Sequence, residues 1–63
     1  MMYILVNVKS GFYFKREQAN GKCIDVDMVN EARIFYDKHE AESKANFIDK
    51  DINDGYYVKC LYK

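Results

Sequence analysis

Proline is absent from this sequence, and glycine occurs three times, at Gly11, Gly21 and Gly55. No linker, repeat or low-complexity tract separates one part of the chain from another, so residues 1–63 are expected to form a single domain. A surplus of charge is missing too. Ten Lys and Arg balance ten Asp and Glu, for a net charge of +0. A duplex-binding domain draws most of its affinity from phosphate neutralisation and is usually basic, while a nucleic-acid mimic is strongly acidic; neither description applies. Near-zero net charge lowers self-repulsion and permits a homodimer. No apolar run approaches the ~20 residues that span a bilayer, so no membrane partner is expected. The opening stretch, residues 1–8, is apolar but short, and it lacks a basic n-region and a cleavage site. A cytoplasmic location with reduced thiols at Cys23 and Cys60 is the expectation.

Residues that carry chemistry are sparse. His39 is the sole histidine, among Asp37, Glu40 and Glu42, and no nucleophile or second base stands at a set spacing from it. It reads as a solvated helix residue. Cys23 and Cys60 lack C-x-x-C spacing, and two Cys with one His make a poor zinc set, so both read as small apolar strand residues. Asp49-x-Asp51-x-Asn53-x-Gly55 has a superficial likeness to a calcium loop, but its glycine falls one place late and no Glu closes it. No catalytic residue, cofactor or metal is therefore expected, and the chain reads as a binding module rather than an enzyme.

What the chain does have is rings. Aromatic residues make up 16%, with six Tyr and four Phe, which compensates for the thin core of a domain this small. Residues 2–8 are rich in β-formers and apolar on both faces except at Asn7, so they predict a central strand. Residues 12–16 return from the Lys9-Ser10-Gly11 turn as a second strand, closing an antiparallel hairpin. After the Asn20-Gly21 turn, residues 22–29 alternate, with Ile24, Val26 and Met28 on one face and Asp25 and Asp27 on the other. That pattern predicts a half-exposed strand whose acids face solvent. Residues 30–36 suit a short strand or an extended crossing segment. Asp37 is placed to cap a helix over residues 38–51, with Glu40 completing a capping box and Tyr36 stapled to Ala41. Ala41, Ala45, Ile48 and Ile52 form its apolar stripe, flanked by Phe47, and Glu40 and Lys44 are spaced for an ion pair. Residues 56–62 form the closing strand, with Tyr56, Val58, Cys60 and Tyr62 on one face and Tyr57, Lys59 and Leu61 on the other.

The expected fold is thus α+β: an antiparallel sheet of three N-terminal strands and a C-terminal strand, packed by one helix, in ββ-β-α-β order. One helix covers one sheet face, so the other must carry surplus rings. Phe12, Tyr13, Phe14, Lys15 and Arg16 interleave rings with cations, as do Tyr56, Tyr57, Lys59 and Tyr62. The candidate binding surface is Tyr13, Lys15, Arg16, Tyr57 and Lys59. Tyr and Arg are enriched at protein hot spots, and rings beside cations on a sheet also stack single-stranded nucleic acid. With a neutral chain and no RNP-type motif, a protein partner leads and nucleic acid is the alternative.

The hairpin YILVNVKSGFYF, the strand GKCIDVDM, the segment ARIFYDKHEAESKANFI and the closing GYYVKCLYK span nearly the whole chain. In brevity, in Lys/Asn/Asp/Ile/Tyr-rich usage and in architecture, the chain resembles the short accessory proteins encoded by phages and prophages of low-GC Gram-positive bacteria. The resemblance implies a non-enzymatic factor that binds and modulates a host protein in the host cytoplasm, of the kind that includes anti-CRISPR inhibitors. It assigns no individual residue a role.

Overall fold

A computed structural model describes residues 1–48 and 55–62. Four strands, β1 (Met2–Asn7), β2 (Tyr13–Glu17), β3 (Cys23–Val26) and β4 (Tyr56–Tyr62), form one sheet in the order β3-β2-β1-β4, and every neighbouring pair is antiparallel. Among the described residues a single α-helix, α1 (Lys38–Ile48), precedes β4. The fold is the expected α+β arrangement in the expected order. The part of the predicted helix beyond Ile48, including Ile52, lies outside the described residues, as does the Asp49–Asp54 stretch.

β1 is central because it is apolar on both sides. Tyr3 and Leu5 point toward α1 and pack with Phe14, Phe35, Ala41, Ala45 and Ile48. Ile4 and Val6 point the other way and pack with Ala32, Tyr13, Ile34 and Leu61. Ala41 and Ala45 are buried, and their lack of bulk lets the helix sit close over β1 and β4. Asp37 caps that helix: its carboxylate accepts the His39 amide at 3.1 Å, and its carbonyl accepts the Ala41 amide at 3.1 Å.

The turn between β1 and β2 runs through Gly11, whose φ of 79° falls in the left-handed region open to glycine. Asn7 organises the same turn, its Oδ1 accepting the Lys9 amide at 2.9 Å and the Ser10 amide at 3.1 Å.

The hairpin then forks. β1 and β2 pair at Val6 and Tyr13 and diverge beyond. The crossing segment enters the gap. Phe35 exchanges both backbone bonds with Tyr3, each at 2.8 Å, while the Arg33 amide donates to the Phe14 carbonyl at 2.9 Å. Residues 33–35 therefore bond to β1 on one side and β2 on the other. A 3₁₀ turn at Val29–Glu31 delivers the chain there.

Four local expectations are corrected. β3 ends at Val26, and Met28 and Val29 lead into the 3₁₀ turn, because the chain must bend to reach the fork. Asp25 lies on the helix side rather than facing solvent, since it stands opposite Phe14 and binds Asn7 and Tyr56. Tyr36 is 72% exposed and leaves Phe35 to fill the core, so it is no staple. Lys44 pairs with Glu17 on β2 instead of Glu40, which ties the helix to the sheet.

Candidate functional site

The two faces of the sheet carry different chemistry. On the helix side, polar groups converge at the end of the sheet where β4 begins. Asp25 accepts two side-chain bonds there, from Asn7 Nδ2 at 3.0 Å and from the Tyr56 hydroxyl at 2.8 Å. Asn7 is 5% exposed and is the sole buried polar residue among those described. Phe14 meets the Tyr56 ring edge-on at 5.8 Å between centroids. Burial raises the Tyr56 phenol well above its ordinary range, and the bond to Asp25 adds to the effect. Burial also raises the Cys23 thiol, aided by the charges of Asp25 and Glu17, while the Tyr56 contact opposes the rise. The Cys23 thiol is thus protonated near neutrality, and Tyr56 is fixed as a donor. This cluster ties β3, β1 and β4 together.

The far side holds the candidate surface. Val26, Tyr13, Val6 and Tyr57 stand opposite one another in a row across all four strands. Tyr13 is half-buried and Tyr57 is 51% exposed. They flank Val6, two strand spacings or about 10 Å apart. Lys59 shares this side, being opposite Ile4, and Arg16 shares it, being opposite Ile24. Lys15 occupies the irregularity between Phe14 and Arg16 and is exposed. Four of the five sequence-chosen residues therefore gather on one face, with Lys15 at the bulge beside them.

No strand carboxylate accompanies them. The described strands carry two acids, Glu17 and Asp25. Both are turned to the helix side, where Glu17 meets Lys44 and Asp25 meets Asn7 and Tyr56. The side chains that the strands present on the far face are therefore apolar, aromatic or cationic. That face is not fully open, however. Ala32 and Ile34 of the crossing segment, together with Tyr13 and Leu61, bury Ile4 and Val6, which are 0% and 5% exposed. At that border Met2, Val29, Asn30, Ile34 and Leu61 line a mainly apolar depression of about 390 Å³.

His39 is exposed in the first turn of α1. Among the described residues, no group of three or more His, Cys, Asp or Glu is placed to hold a metal ion. Among them too, no helix is long and apolar enough to cross a membrane. Sequence reasoning missed the Asn7–Asp25–Tyr56 cluster. Its one signal was Asn7, a lone polar residue in an otherwise apolar strand. Comparison with protein-family models, curated proteins and solved structures found no match.

Proposed function

We propose that the chain is a non-enzymatic binding protein that docks on a larger host protein through the helix-free face of its sheet and inhibits or redirects it. One observation carries this reading: Tyr13, Tyr57, Arg16 and Lys59 share a face from which both strand carboxylates are turned away. Such a face suits an acidic protein surface. Tyrosine supplies rigid, amphipathic contact area, and the flanking cations supply complementarity and register. Lys15 extends the cationic rim. In the setting implied by the resemblance to phage accessory proteins, the partner is a cytoplasmic host protein of the defence type.

The test is comparative capture. Wild type and an Arg16→Glu/Lys59→Glu variant are used as baits in host lysate. A host protein retained by the first and lost by the second, with the circular dichroism of both alike, is the expected result. Identical capture profiles would overturn the reading.

The same face supports a second reading, stacking of single-stranded nucleic acid on Tyr13 and Tyr57 with Arg16, Lys15 and Lys59 along the backbone. Anisotropy with a labelled oligonucleotide separates the two. Binding that weakens steeply with salt favours the strand, and absence of binding at low salt removes it.

A further inference from the structure

The sheet has two outer edges, and they differ. β3 has four residues, and its ladder to β2 is interrupted by an irregularity. β4 has seven residues, Tyr56–Tyr62, and none of the described residues pairs with the outer edge of its Tyr56–Lys59 stretch. Natural sheets blunt such edges with short strands, prolines, charges or bulges. β4 has no proline and one charge, Lys59. Its one bulge, opposite the Met2–Tyr3 step, lies toward its far end and leaves the stretch from Tyr56 regular.

The bonds already made fix which peptide groups face outward. Tyr3 directs its amide and carbonyl at Phe35, away from β4. Antiparallel ladders alternate, so Ile4 and Val6 direct theirs at β4, toward Lys59 and Tyr57. Tyr56 and Val58 then present amide and carbonyl to the outside. The bond from the Val8 amide to the Gly55 carbonyl, at 2.8 Å, continues the same alternation.

We infer that this edge pairs with the same edge of a second copy of the chain, antiparallel about a two-fold axis at Val58, joining two sheets into one of eight strands. Side-chain charge selects the register. An axis at Lys59 would set two cations directly opposite, which is unfavourable. An axis at Val58 sets Tyr57 of each copy opposite the partner's Lys59, twice per interface. Both side chains lie on the far face and are exposed, so each ammonium can rest on a tyrosine ring. Each Val58 amide donates to the partner's Val58 carbonyl. A net charge of +0 leaves no long-range repulsion between copies. The inference does not depend on the proposed host partner, because it concerns the protein alone.

Sedimentation of the purified chain over a rising concentration series is the test. The mass should climb from 7.5 kDa toward twice that value. Tyr57→Lys faces a cation with the partner's Lys59 at both positions and should weaken the dimer about tenfold or more. Adding Lys59→Glu to that variant should restore it. Because Tyr57 is half-exposed, these changes leave the core alone. A synthetic chain with an N-methylated Val58 amide removes the central bonds without altering a side chain, and it should be monomeric. A wild type that stays monomeric at the highest concentrations overturns the inference. So does a dimer that both Tyr57→Lys and the N-methylated chain leave unchanged.

Discussion

Asp25 accepts bonds from two strands, and this makes its neighbours sensitive to single-atom changes. Tyr56→Phe deletes one hydroxyl and keeps the ring against Phe14. A hydrogen bond to a charged acceptor is worth about 1.5–3 kcal/mol, less where water can reach it. Urea denaturation of Tyr56→Phe should therefore show a loss of about 1–2 kcal/mol at neutral pH, and unchanged stability would mean that the bond contributes nothing net. The alkaline limb follows from the same group. The folded phenol holds its proton more tightly than the unfolded one. Unfolding then releases protons once the pH exceeds the unfolded value of about 10, so wild-type stability falls as pH rises from there. Cys23, also raised, starts the same decline near its unfolded value of about 8.5. Tyr56→Phe should flatten the part of the decline above pH ~10, as followed by denaturation midpoints across the alkaline range.

At the scale of elements, α1 was legible and the facing of β3 was not. The helix announced itself through Asp37 and the spacing of Ala41, Ala45 and Ile48, which are local signals. Asp37→Ala should cost about 1 kcal/mol, with Asp37→Ser restoring most of it, as measured by thermal unfolding. A second local signal misled. Glu40 and Lys44 stand at ion-pair spacing, yet Lys44 is drawn to Glu17, 27 residues away in sequence. β3 shows the same limit. Its alternation says which residues share a face, but the choice of face depends on what lies opposite. Asp25 is held inward by Tyr56, 31 residues on, a contact no local pattern encodes. The candidate surface was legible in part. Alternation along β4 puts Tyr57 and Lys59 on one side, whereas Tyr13 joins them through its register with Val6, and Arg16 through the irregularity at Lys15 that no local pattern encodes.

Across the whole molecule, the fork between β1 and β2 governs how the parts depend on one another. The backbone bonds left open where the hairpin diverges are closed by Arg33 and Phe35, which arrive only after β3 and the 3₁₀ turn. The N-terminal strands cannot complete themselves, since Tyr3 and Phe14 would each keep buried but unanswered peptide groups. A fragment ending at Met28 should accordingly show no sheet signal by circular dichroism. In native-state hydrogen exchange, the amides of Tyr3, Arg33 and Phe35 should open with one common free energy close to that of global unfolding, whereas exchange of Arg33 and Phe35 ahead of Tyr3 would show the wedge to be separable. The fork thus makes the chain a single cooperative unit: the middle of the sequence is the fastener of its beginning, and neither persists without the other.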